Sequence, residues 1–175
     1  PRHIVKPDLL YARVIEARER VTAEGAVLTP LNEAHARAAL QQAYDEGMRA
    51  AAIACLHGWA FPAHEQRLAA IARDIGFTQV SISSEISGLI KFIPRADPTL
   101  ADAYLSPVLR QYIDAFTAGL TGASASPPEA LFMQSNGGLA SASHFRGRDA
   151  VLSGPAGGVV GMAVANPTGT VTLGF

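Results

Sequence analysis

Cysteine occurs once, at Cys55, so no disulfide can form within the chain. The residue lies inside an apolar run, which suits a buried thiol better than a nucleophile, since reactive thiolates need an exposed electropositive setting. An excess of one charge is also lacking. Fourteen basic residues stand against 15 acidic ones, for a formal net charge of -1, and neither sign forms a long run. That argues against a nucleic-acid partner and against a polybasic membrane tether. No apolar stretch reaches the roughly 18 residues of a membrane span and no signal-peptide pattern opens the chain, so the expected location is the cytoplasm. The five histidines, His3, His35, His57, His64 and His144, have no ligand spacing such as H-E-x-x-H, and no metal site is expected. Gly-x-Ser-x-Gly is missing, and neither Ser135 nor Ser153 has an identifiable base nearby, which disfavours nucleophilic catalysis.

What is present describes a folded globular chain: 49% hydrophobic and 17% charged over 175 residues, enough for one well-buried domain or a large piece of one. Residues 10 to 30 read as two extended segments about a turn at Ala23-Glu24-Gly25. Asn32 is a good N-cap for a helix with Ala36, Ala39, Leu40, Ala43 and Tyr44 on one face, stopped by Gly47. Ala50 to Leu56 lacks polar alternation, as a strand covered on both faces would. Pro62 opens a second helix with Leu68, Ile71, Ala72 and Ile75 inward, closed by Gly76, and a strand from Thr78 to Ser83 follows. The rhythm is that of a βαβ unit. Asp97-Pro98 marks the start of a long helix with Leu100, Tyr104, Val108, Tyr112, Phe116 and Leu120 at every fourth place, bent or broken at Pro107. Glu85 and Arg95 bracket the link into that helix and either orient a polar substrate or pair at the surface, the surface pair being favoured.

Thr121 to Glu129 is the clearest loop, and it divides the chain into a first α/β lobe over 1–120, a linker over 121–129 and the start of a second, truncated lobe over 130–175. In that second part Ala130 to Gln134 reads as a buried strand, and Ser135-Asn136-Gly137-Gly138 as the turn at its end. Such a turn is either a wall of a ligand site beyond the strand or a simple Asn-Gly turn. A helix then begins at Pro155, with Gly154 as its cap, and a strand follows at Thr170 to Leu173. Gly154, Gly157, Gly158 and Gly161 share one face of that helix. Two readings stand for them: another backbone packs closely there, or an anion approaches the exposed N–H groups of the first turn, where the helix dipole favours it. Ser153, Gly154, Gly157 and Gly158 join Ser135, Asn136, Gly137 and Gly138 as the candidate nucleotide- or substrate-binding residues. No catalytic residue is assigned.

Four stretches in order, Ser83-Ser84-Glu85-Ile86-Ser87, Asp102 to Arg110, Met133 to Gly138 and Leu152 to Val159, together resemble the hydantoinase A and 5-oxoprolinase family from about Val14 to the end. The resemblance implies an α/β fold of the actin, sugar kinase and Hsp70 type. It also implies an ATP- and Mg-dependent hydrolase in which phosphorylation activates a lactam or imide for ring opening. A hydantoinase B-like subunit or fused region would be its partner and a small cyclic amide its substrate. Two phosphate loops typical of that fold are not found, so the chain is expected to be an internal fragment, inactive alone. The alternatives are a fragment of a related ketone carboxylase and a non-catalytic interaction module.

Overall fold

The computed structural model describes residues 8–123 and 129–165. The expected strand at Thr170 to Leu173 and the middle of the expected linker lie outside the described residues. Contacts group the chain into two units, Pro1–Tyr104 and Leu105–Phe175.

In the first unit, β1 (Arg20–Val21) and β2 (Val27–Thr29) form a short antiparallel hairpin about Gly25, whose φ of 90° only glycine adopts freely. Asn32 caps α1 (Glu33–Asp45) by accepting from the His35 N–H at 2.9 Å. Strand β3 (Ala50–Ile53) leads through α2 (Ala63–Ile75) to β4 (Gln79–Ile82), and the two strands pair in parallel from Ala50 opposite Gln79 to Ile53 opposite Ile82. This is the expected βαβ unit. The core lies where α1 and α2 meet the strands: Ala36, Ile53, Cys55, Leu68, Ala69 and Ile82 in one cluster, Ala43, Ala72 and Phe77 in another. Burying those apolar side chains is the main stabilising term. β3 is shorter than expected and is covered on one face only, since Ala50 and Ala52 are exposed.

A single turn, α3 (Ser83–Ile86), follows β4 directly, and α4 runs from Phe92 to Ala123. Helix α4 differs from the sequence reading in three ways. It begins before Asp97-Pro98, it continues through Pro107, and it extends into the stretch read as a loop. Its buried positions, moreover, include Arg95, Thr99, Asp102 and Ser106, whereas Tyr104, Val108 and Tyr112 are more than half exposed. Hydrophobic periodicity therefore marked the wrong face. The polar side chains win the interior because each finds a partner there: Thr99 donates to the Arg95 carbonyl at 2.7 Å, and Asp102 accepts from Ser81 Oγ at 2.7 Å.

In the second unit, β5 (Leu131–Met133) pairs antiparallel with β6 (Leu139–Ser141). The segment read as a buried strand is thus half of a hairpin, with Leu131 52% exposed. A single turn, α5 (Gly147–Ala150), leads into α6 (Ser153–Ala165). Phe116, Phe132 and Phe145 form a contiguous aromatic column, with ring centroids 5.9 and 5.4 Å apart. Gly147 is obligatory beside it: a Cβ there would lie 2.7 Å from the Ser106 backbone nitrogen.

Candidate functional site

Two constellations stand out, one in each unit. In the second, the Gln134 N–H donates to Gly138 O at 2.8 Å and the Gly137 N–H to Gln134 O at 2.9 Å, which closes the hairpin turn. Gly137 has φ of 83°, and Asn136 Oδ1 accepts from the Gly138 N–H at 2.8 Å. Ser135 then ties this turn to the start of α6. Its hydroxyl donates to Asp149 O at 2.7 Å and accepts from the Leu152 N–H at 3.0 Å, while its own N–H also donates to Asp149 O at 2.7 Å. Ser153 Oγ donates to Ala150 O at 2.9 Å. The structure thereby brings Ser135 to Gly138 against the helix that carries Ser153, Gly154, Gly157 and Gly158. Contact is close enough that a Cβ on Gly137 would meet Val160 at 3.3 Å and one on Gly157 would meet Met133 at 3.5 Å.

Apart from Gly157, the glycine face meets nothing among the described residues. A Cβ at Gly154, Gly158 or Gly161 would meet nothing within 4 Å, so the expected close packing of a second backbone is not found among the described residues. The first turn of this 13-residue helix, where Pro155 has no N–H and the Ala156 N–H donates to Leu152 O at 3.0 Å, leaves the N–H groups of Ser153 and Gly154 outside the helix's own ladder, where a phosphate or carboxylate oxygen is favoured. Metal ligands are a different matter. No group of three or more His, Cys, Asp or Glu among the described residues is placed to hold an ion. The nearby Asp149 carboxylate already accepts from the Arg146 N–H at 3.3 Å and lies 3.5 Å from Arg148 Nε. The donor set therefore offers one wall of an anion site and, among the described residues, no cluster that would hold a metal ion by itself.

The first unit holds a constellation that sequence reasoning missed. Glu65, Ser83 and Arg95 are each 0% exposed. Glu65 accepts from the Cys55 N–H at 2.7 Å, from Ser83 Oγ at 2.5 Å and from the Ser84 N–H at 2.9 Å. Arg95 donates through Nε to Ser83 Oγ at 2.8 Å, and through its terminal nitrogens to the carbonyls of Leu89, Ile90, Leu56 and Cys55. The favoured surface pair of Glu85 and Arg95 is corrected by this burial: Glu85 is exposed and Arg95 is wholly inside. One signal was available. Arg95 is a lone charge in Phe92-Ile93-Pro94-Arg95-Ala96, and Glu65 opens an amphipathic helix on its apolar side.

Beside this network a cleft is lined by Glu19, Arg20, Cys55, His57, Phe61 and His64. His64 Nδ1 and Glu19 Oε2 are 2.6 Å apart and both side chains are largely buried. Cys55 is buried as expected, and desolvation, helped by the charges of Glu19 and Glu65 and opposed by Arg95, pushes its thiol up to about 12. No helix among the described residues is long and apolar enough to cross a membrane.

Known proteins match over two stretches, the second of which begins within the first unit. The hydantoinase/oxoprolinase N-terminal region matches residues 2–76, and the hydantoinase/oxoprolinase description matches residues 95–172. A 5-oxoprolinase of Saccharomyces cerevisiae is 47% identical over 135 residues, which cover 77% of this chain and 10% of that protein. Caprolactamase subunit alpha of Pseudomonas jessenii is 34% identical over 97% of this chain and 23% of its own length. The crystal structure of the ATP-dependent caprolactamase from that organism superposes with a TM-score of 0.78 at 30% identity, over 95% of this chain and 26% of the other. A nucleotide-free acetone carboxylase shares the fold, with a TM-score of 0.73 at 22% identity, over 86% of this chain and 22% of the other. The chain thus spans about a tenth to a quarter of the length of these relatives. Its fold is α/β, and the chain belongs to the hydantoinase/oxoprolinase family.

Proposed function

We propose that this chain is part of an ATP-dependent hydrolase of cyclic amides, active as the larger protein and inactive alone. The observation that carries the reading is the 47% identity to a 5-oxoprolinase over 77% of the chain, supported by the likeness to an ATP-dependent caprolactamase over nearly all of it. ATP, with magnesium, would supply the phosphoryl group that activates the lactam carbon, so that water adds there, the ring C–N bond breaks and phosphate is released as the carboxylate forms. The N–H groups of Ser153 and Gly154, in the first turn of α6, would face a phosphate or carboxylate, with Ser135, Asn136, Gly137, Gly138, Gly157 and Gly158 shaping the wall beside them. The division into lobes over 1–120 and 130–175, joined by 121–129, belongs to the same reading. So does a partner of hydantoinase B type, as a subunit or a fused region, which the relative's designation as a subunit alpha supports. The cytoplasm is the proposed location.

The test is to express the full reading frame with and without its neighbouring B-type region and to assay it with MgATP and 5-oxoproline, caprolactam or a hydantoin. Lactam-dependent release of ADP and the ring-opened acid is the expected result. ADP release that depends on a ketone and bicarbonate instead would move the protein to the carboxylases. No turnover of either kind, with a B-type subunit still captured, would favour an interaction module. Lactam-dependent turnover by residues 1–175 alone would overturn the inactivity of the fragment.

A further inference from the structure

The bonds of Glu65 and Arg95 have a common destination. They end on the segment directly after β3, at Cys55 and Leu56, and on the segment after β4, at Ser83, Ser84, Leu89 and Ile90. These are the carboxyl ends of two adjacent parallel strands, where ligands of α/β proteins bind. Burying two charges is an expensive way to hold a core, because well-packed apolar residues do so as well or better. A fully satisfied buried network instead fixes one backbone arrangement. Gly58 shows how closely that arrangement is drawn, since a Cβ there would lie 2.1 Å from Glu65 Oε1. Ser84 Oγ, in the second segment, is a buried atom with no hydrogen-bond partner. Arg95, at the start of one family-matched region, is thereby fastened to the loop after β3 in the other.

We propose that Arg95, acting through Ser83 and Glu65, is a positioning residue that holds the segments 55–58 and 83–87 as a wall for the cyclic amide, an inference that rests on the function proposed above. The chemistry of the wall favours the amide over the nucleotide. Its guanidinium is consumed inside, and the exposed charge on the second segment is the Glu85 carboxylate, which repels a polyphosphate and can accept a lactam N–H.

The test uses the full-length enzyme with MgATP and 5-oxoproline, comparing Arg95→Lys and Ser83→Ala with the wild type. Lysine keeps the charge but cannot reach four carbonyls at once, and Ser83→Ala removes the bridge while keeping both charges. The expected result is a rise in KM for the lactam of about tenfold or more with KM for ATP unchanged. Amide hydrogen exchange should also quicken at 55–58 and 83–87, and with Arg95→Lys on through the segment to Ile90, and nowhere else. Either variant, folded, with lactam KM and local exchange unchanged would overturn the proposal, as would a rise confined to ATP. If Arg95→Lys does not fold, Ser83→Ala decides. If the wild type turns over no lactam, the functional reading fails by itself, and the exchange comparison still tests the positioning role: unchanged exchange overturns it, local quickening supports it.

Discussion

Glu65 and Arg95 meet through the Ser83 hydroxyl, which donates to Glu65 Oε1 at 2.5 Å and accepts from Arg95 Nε at 2.8 Å. Both charged side chains are sealed from water, so each depends on the protein alone for its partners. Glu65→Ala leaves the Cys55 and Ser84 N–H groups without acceptors and the guanidinium without a counter-charge. The expected loss is about 3–5 kcal/mol, read from the urea midpoint of the chain. Glu65→Gln, which keeps an acceptor oxygen, should lose less. Equal midpoints for Glu65→Ala and the wild type would refute the network as a stabilising contact.

Cys55 ties alkaline stability to the same place. Its thiol titrates near 9.0 when unperturbed and is pushed up to about 12 in the folded chain. The unfolded chain therefore releases this proton first, and between about pH 9 and 12 it binds fewer protons than the folded chain. The stability contribution is whole below that window and is lost as pH rises through it. Denaturation midpoints should fall over this range in the wild type and fall less in Cys55→Ala. At pH 8 a disulfide reagent should label the thiol only after denaturant is added.

Glycines in the second unit should respond with opposite signs. Gly158 and Gly161 sit in a helix interior with open space where a Cβ would go, so alanine at either should raise stability by about 0.5–1 kcal/mol. If the face receives a ligand in the larger protein, the same substitutions should depress lactam-dependent ADP release while raising the melting temperature. Gly147→Ala, whose Cβ would press on Ser106, should cost about 1–3 kcal/mol.

Ser135→Ala tests the bridge between hairpin turn and helix. It leaves the Leu152 N–H without its acceptor and removes one of two bonds to Asp149 O. A loss of about 1 kcal/mol is expected, with faster hydrogen exchange at Leu152. Ser135→Thr, keeping the hydroxyl, should recover most of it.

Where the sequence was legible, the signals were local. Asn32, Gly47, Pro62 and Gly76 bounded two helices because caps and glycines act through their own backbone angles. The parallel pair followed from apolar runs separated by a helix. The motifs at Ser135 to Gly138 and Ser153 to Gly158 could be named, but their meeting through Ser135 Oγ could not, since it depends on a hydroxyl bridging 17 residues. Helix α4 defeated periodicity for a physical reason. Hydropathy counts what a side chain prefers in water, and Arg95 and Asp102 are inside because of bonds to distant residues, Thr99 because its hydroxyl bonds the carbonyl one turn back. The open face of α6 was equally hidden, because a run of small residues looks the same whether or not something rests on it.

The reach of Arg95 bears on the order of folding. Its guanidinium joins carbonyls 39 and 40 residues earlier in the chain, a contact that exists only once β3 and β4 have paired around α2. Hairpin and helices close far shorter loops and can form before it. Docking of a charged group into a site that must first be assembled belongs on the native side of the barrier. Weakening that contact should leave the refolding rate nearly unchanged and quicken unfolding. The same guanidinium would then act as a latch on the assembled strands, setting how long they stay closed more than how quickly they come together.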